Sequence, residues 1–299
     1  MDRFQEMKVL LAVTEAESLA GGARMLGISA PGATRAIAAL EARLGTVLLA
    51  RNTRSLRLTE AGRRYVEDCK RILLELEEAE ELAAGGAVQA RGNLSITAPV
   101  MFGEQFLLPL ISDYLCAHPE VSINALLVDR VVNLADEAID VAVRIGQLPE
   151  SGVQALKVGE IRPVVCASPE FLDRVGRPAV PMDLEGAQSV VSSASALLSH
   201  WQFSGPQGLV TLTPAPRLIV SSNRAAISAA CQGWGFTRAL SYQVAQAVAQ
   251  GELEIVLDRF CSQRLPVHIL YQGNRAVPAK VRTFVDHCYS ALLRDLCEA

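Results

Sequence analysis

Residues 27–40 read GISAPGATRAIAAL, a segment with helical spacing and almost no functional groups. Ser29 stands where a helix is capped, and Pro31 falls in the first turn, where a missing N–H costs nothing. Ala33, Ile37, Leu40 and Leu44 step by four, three and four, which predicts one buried face, and Gly45 ends the run. The other face starts with Ser29, Ala30, Pro31, Thr34 and Arg35, small and flat apart from one guanidinium. Upstream, Ser18 is set to cap a helix through LAGGARML that stops at Gly27. Small residues at Ala23 and Ala33 with a glycine turn between them fit a helix-turn-helix at about residues 19–38. A flat helix enters the major groove of DNA. Arg35 would then reach a base edge or a phosphate, and Thr34 a phosphate or a thymine methyl. Taken alone, the pattern also fits a plain helical hairpin inside a core.

The flanking sequence favours DNA. Residues 4–13, FQEMKVLLAV, carry a helical apolar face. Residues 47–50 (VLLA), 51–55 (RNTRS) and 56–59 (LRLT) read as strand, turn, strand, a small wing. Arg51, Asn52 and Arg54 in its turn are candidates to grip phosphate or enter the minor groove. The chain carries a formal charge of −4, but residues 1–64 hold ten Lys/Arg against six Asp/Glu. A basic module on an acidic body suits a small polyanion-binding domain.

A long helix is expected over 62–84, where Tyr65, Cys69, Ile72, Leu76, Ala79 and Ala83 form a heptad-like stripe beside several glutamates. Such a stripe suits dimerisation through paired helices, the alternative being that it docks on its own domain. Glycines at 85–86 and 92 punctuate a linker that runs to 91. After it, short β-like runs alternate with helical ones, the pattern of an α/β fold with mostly parallel sheets. LSITAPVMFGEQF (94–106) and RLIVSSNRAAISAA (217–230) each place a strand before a helix, which suggests two similar lobes. Ligands bind at such strand ends, beside helix N-termini.

Composition narrows the chemistry further. Apolar residues at 50% and charged residues at 20% support folded cores. No apolar run is long enough to span a membrane. The N-terminal MDRFQEMKVL lacks the apolar core of an export signal, so a cytoplasmic location is expected. Seven cysteines without a CxxC, and four scattered histidines, give neither a disulfide framework nor a zinc site. There is no GxSxG, P-loop or HExxH, and Gly233-Trp234-Gly235 lacks the third glycine of a dinucleotide turn. No enzymatic activity, metal or cofactor is expected.

The stretch SLAGGARMLGISAPGATRAIAALEARLGTVLLARNTRSLRLTEAG resembles the winged helix-turn-helix of LysR-type transcriptional regulators, and VAVRIGQLPESGVQALKVGEIRPVVCASPEFL is similar to their effector-binding domain. The resemblance runs over essentially the whole chain. It implies an α+β multidomain protein: a winged helix-turn-helix DNA-binding domain at 1–60, a dimerising linker helix and hinge at 61–91, and a two-lobed, periplasmic-binding-protein-like effector domain at 92–299. Lobe I would take 92–162 and 268–299, and lobe II 163–267, with crossovers near Arg162-Pro163 and Pro266-Val267. The implied cleft is lined by Pro99, Val100, Met101, Phe102, Val128 and Arg144 on one side. Trp201, Phe203, Ser221, Ser222 and Asn223 face them, although by themselves Trp201 and Phe203 also fit ordinary core packing and Arg144 a structural salt bridge. Two helix starts plus Arg144 would favour a small organic acid, with Met101, Phe102 and Phe203 adding aromatic or apolar character, since helix N-termini each stabilise an anion by about 0.3–1 kcal/mol. The implied partners are promoter DNA with a pseudo-palindromic site, the effector, further copies of the chain as dimers and tetramers or larger, and RNA polymerase. The sequence departs from the family pattern at Ala30, where a base- or phosphate-contacting glutamine is usual, and at Gly21, Gly22, Gly32 and Ala33, which predict a locally soft DNA-binding domain. The competing readings are a small-molecule sensor whose N-terminal helices only mediate assembly, and an architectural DNA-binding protein without an effector.

Overall fold

The computed structural model describes residues 2–52, 55–83, 89–134, 136–148, 153–194, 200–205, 208–214, 216–273 and 277–297. The side chains of 51, 52, 55, 74, 75, 78, 79, 81–83 and 297 lie outside that description. The chain divides into two compact units, Met1–Gly92 and Asn93–Ala299.

In the first unit α1 (Arg3–Glu15), α2 (Leu19–Met25) and α3 (Ala30–Leu44) precede a hairpin of β1 (Leu49–Asn52) and β2 (Ser55–Leu58), followed by α4 (Glu60–Ala83). Ser18 accepts a hydrogen bond from the Gly21 N–H at 2.9 Å, and Ser29 from the Gly32 N–H at 3.2 Å. Each cap is worth about 1 kcal/mol. Gly27 turns between α2 and α3 with φ at +65°, where glycine alone is unstrained. Ala33, Ala36, Ile37 and Leu40 of α3 pack on Val9, Leu10 and Val13 of α1 and on Ala23 of α2. Leu44, expected to close the buried stripe, instead stands at the surface in the last turn before Gly45. The Glu41 carboxylate accepts from the N–H groups of Leu48 and Leu49 at 2.7 and 3.0 Å, so it fixes the wing to the end of α3.

Gly22 has a packing reason that the sequence does not show: a Cβ there would lie 2.5 Å from the Val13 backbone nitrogen, so glycine lets α2 press against α1. Cys69 is not a surface residue of the α4 stripe. It is fully buried in the core of its own unit, with Val66 beside it and Tyr65 packed against it, and so cannot meet a second chain. Ile72 and Leu76 remain half-buried, and the side chains of Ala79 and Ala83 lie outside the described residues.

The second unit begins with β3 (Gly92–Ala98). Its helix α5 (Val100–Phe102) continues through a π-helical turn, Gly103–Leu107, into α6 (Leu108–Ala117). Then come β4 (Val121–Leu127), β5 (Val141–Ile145), β6 (Val153–Ile161), β7 (Pro163–Ala167) and α7 (Pro169–Val175). They are followed by β8 (Val190–Ser192), β9 (Trp201–Gly205), β10 (Gly208–Leu212), β11 (Leu218–Val220) and α8 (Asn223–Cys231). The unit ends with β12 (Thr237–Leu240), α9 (Ser241–Ala249), β13 (Glu254–Val256), β14 (Leu265–Gln272) and α10 (Ala279–Cys297). Lobe I holds a five-stranded sheet of order β4-β3-β5-β14-β6, and lobe II holds β12-β7-β13 with the pairs β8/β11 and β9/β10.

The pairing is mixed rather than mostly parallel. β3 with β5 and β8 with β11 run parallel, but β14 is antiparallel to both β5 and β6, and β7 is antiparallel to β12 and β13. The cause is the double crossing between lobes. The chain leaves lobe I through β6, and β14 returns against it. Arg162 is the outward junction between β6 and β7. The return is complete before Pro266-Val267, because Leu265 already pairs with Ile161.

Candidate nucleic-acid interface and effector cleft

On α3 the buried positions leave Ser29, Ala30, Pro31 and Arg35 exposed on the other side. Among the described residues Arg35 makes no hydrogen bond or ion pair, so its five donors are available. Thr34 differs from expectation. Its hydroxyl donates to the Ala30 carbonyl at 3.0 Å, and a phosphate has only acceptors to offer, so a phosphate contact requires that bond to break. Its methyl contact with a thymine is unaffected by this bond. Arg51 and Asn52 lie on β1, with side chains outside the described residues, and Arg54 lies outside them altogether. Arg57 on β2 is exposed, and the sequence reading did not single it out. Its position in a basic wing was the available signal. Other arginines of the basic module are spent on neighbours: Arg43 on Glu6, and Arg63 and Arg64 on Glu60.

In the second unit the expected cleft residues separate into two groups. Trp201 and Phe203 are 2% and 1% exposed and sit in the lobe II core with Phe171, Leu184 and Phe236. Residues 201, 203 and 205 share one face of β9, and packing claims that face, so neither side chain lines a cleft. Phe102 is also fully buried, its ring 5.8 Å from that of Tyr242 on α9 and edge-on to it. Met101 packs against the lobe II cluster that contains Ile227 and Val244. These two side chains therefore join the lobes. Val128 packs within lobe I beside Val132 and Leu134.

Arg144 is half-buried and donates to the carbonyls of Arg130 and Val132 at 3.3 and 2.5 Å. Burial, with Arg130 nearby, holds its pKa below the usual arginine value. The expected anion donor thus clamps a loop of its own lobe.

What remains at the strand ends is a polar group that spans the lobes. Asp129 follows β4, brought beside the end of β3 by the Val128 N–H bond to the Ala98 carbonyl, 2.9 Å. Its Oδ1 accepts from the Val100 N–H at 3.0 Å, and its Oδ2 lies 3.5 Å from Nδ2 of Asn223. The sequence reading missed Asp129, because an aspartate after a strand is ordinary turn chemistry and only the fold carries it to α8. Ser222 caps α8 by accepting from the Ala225 N–H at 3.2 Å, and Ser221 is exposed. Pro99 is half-buried at the start of α5. Asn223 is 6% exposed, yet its Oδ1 has no hydrogen-bond partner. An unsatisfied buried carbonyl costs about 1–3 kcal/mol. Burial pushes the Tyr242 hydroxyl above its usual pKa, and the Asp129 charge adds to this. Arg224 of α8 pairs with Glu104 of the π-helical turn, a second link between the lobes.

Among the described residues no group of His, Cys, Asp or Glu is arranged to hold a metal, and no helix is long and apolar enough to cross a membrane.

Residues 4–63 match the family described as bacterial regulatory helix-turn-helix protein, lysR family, and residues 87–292 match the LysR substrate binding domain. The chain is 31% identical over 288 residues to the HTH-type transcriptional regulator YhjC of Escherichia coli, covering 95% of this chain and 96% of that protein. It is 29% identical to the HTH-type transcriptional activator AaeR of the same organism, covering 96% and 93%. Among solved structures, CrgA of Neisseria meningitidis aligns with a TM-score of 0.62 at 28% identity, over 96% of this chain and 98% of that one. The full-length virulence activator AphB of Vibrio cholerae aligns at 0.62 and 27%, over 97% and 99%.

Proposed function

Since the chain belongs to the LysR family of DNA-binding transcriptional regulators with an effector-binding domain, we propose that α3 reads the major groove through Arg35 while a small molecule bound between the two lobes modulates that binding. The observation that carries the DNA half is the unpaired Arg35 on a helix face otherwise made of small residues. The Arg35 fork fits a guanine edge, and Arg57 with the wing arginines Arg51 and Arg54 supplies phosphate contacts. Dimers form through the part of α4 beyond Cys69, with Ile72 and Leu76 at the contact, and pairs of dimers associate through the effector domains. Each dimer addresses a pseudo-palindromic promoter site in the cytoplasm, where the effector alters DNA geometry and access for RNA polymerase. An effector acts only by binding one arrangement more tightly than the other.

The effector expected from the sequence is a small organic acid. What supports it is the N-terminus of α8, but the other donors are engaged: Val100 N–H by Asp129 and Arg144 by two carbonyls. An acid would have to displace Asp129.

The test is a salt titration of the full chain on the DNA upstream of its own gene, against an unrelated fragment of equal length. Selective binding that weakens steeply between about 50 and 200 mM salt is the expected outcome. Equal affinity for both fragments at every salt concentration rules the reading out.

A further inference from the structure

We propose that the cleft between the lobes selects an effector bearing a protonated amine, with Asp129 as the residue that sets the sign of its charge. The inference rests on the reading of this cleft as the effector site. Asp129 stands on lobe I and reaches Asn223 of lobe II, and among the described residues no lysine or arginine lies within ion-pair distance of it. The neighbouring cations are committed elsewhere. Arg224 is held by Glu104, Arg130 by both oxygens of Glu137 at 2.6–2.7 Å, and Arg144 by carbonyls. The carboxylate is thus left with one backbone N–H and one long amide contact, and it still has lone pairs to fill.

The second observation is independent of the charge. Asn223 is more than nine-tenths buried, and its Oδ1 is an acceptor without a donor. The Nδ2 of the same amide faces Asp129, so the orientation that satisfies the nitrogen strands the oxygen. Two unfilled acceptors, one charged and one neutral, call for a ligand with several N–H donors and a positive charge. An ammonium group has three donors and no acceptor. A carboxylate ligand has the opposite complement and would face Asp129 directly.

An organic cation fits better than a metal ion. Calcium takes six to eight oxygens, and this site offers far fewer. Tyr242 lies near enough for the Asp129 charge to act on its hydroxyl, and its ring is 5.6 Å from that of Phe106.

The experiment uses the full-length chain and three matched pairs of probes at constant ionic strength. These are n-butylamine with pentanoate, 2-phenylethylamine with 3-phenylpropionate, and 1,4-diaminobutane with adipate. Calcium alone is titrated in parallel. Binding is followed by calorimetric titration, with DNA affinity as a second readout. At least one amine is expected to bind at least tenfold more tightly than its carboxylate partner. Asp129→Asn, which keeps size and shape, is expected to lose that preference at least tenfold and to gain carboxylate affinity, a gain that misfolding cannot produce. Carboxylate binding that Asp129→Asn leaves unchanged overturns the amine inference while the effector cleft stands. Binding of calcium in preference to every amine overturns it as well. If no probe of either sign binds while selective DNA binding persists, both the inference and the small-molecule reading of the cleft fall.

Discussion

Arg35 and Gly22 show how differently two residues of one motif are used. Arg35 is exposed and unpaired among the described residues, so on the proposed reading its removal is expected to change recognition and leave the packing of the domain intact. Arg35→Ala should cost about 1–3 kcal/mol of discrimination for its base pair, with the thermal midpoint unchanged. A footprinting titration on cognate and mutated sites reads this directly, and equal specificity in the variant removes α3 from the recognition role. Gly22 has the opposite character, since a methyl there meets Val13 backbone atoms at 2.5–2.6 Å. Gly22→Ala should destabilise the winged unit by about 1–3 kcal/mol through overpacking, seen as a lower denaturant midpoint. The glycine was visible in the sequence, but its reason was not, because the clash is with a residue of another helix. Asp129 was invisible for the same cause: its partners at 100 and 223 are distant in the chain.

Elements were more legible than residues. Caps at Ser18 and Ser29, the turn at Gly27 and the alternating wing all follow from local chemistry, and the structure places them within a residue or two of the expected positions. The α4 stripe was read correctly as apolar, but its division was not legible. Periodicity reports that a face is buried and is silent about what buries it. Tyr65 and Cys69 belong to their own core, which leaves Ile72 and Leu76 as the described positions for a second helix. Leu76→Arg should therefore shift the chain from dimer to monomer in sedimentation without lowering its helical content. Unchanged mass would move the dimer contact elsewhere. The sheet direction failed for a related reason. Counting strand and helix runs suggests parallel crossovers, but a strand that returns from an inserted lobe runs against the one that left.

The whole molecule buries most of its described thiols. Burial pushes Cys166 and Cys288 up to about 12 and Cys69 up to about 11, so each is protonated and unreactive at neutral pH. Cys116 is exposed. Maleimide at pH 7.5 should modify Cys116 within the first minutes and reach Cys69, Cys166, Cys261 and Cys288 only in denaturant. Rapid native labelling of Cys166, read by mass spectrometry of its peptide, would show that the lobe II sheet opens.

The position of β14 also decides when this protein can finish folding. Its strand lies between β5 and β6, yet it is made about a hundred residues after them. The winged unit is complete at Gly92, and lobe II, whose strands all lie between Pro163 and Val256, is complete before β14 leaves the ribosome. Lobe I must wait, with the facing edges of β5 and β6 unpaired, until Leu265–Gln272 arrives to close it. Such open edges recruit other strands, so the interval before synthesis ends is when the nascent chain is most open to self-association and most in need of a chaperone.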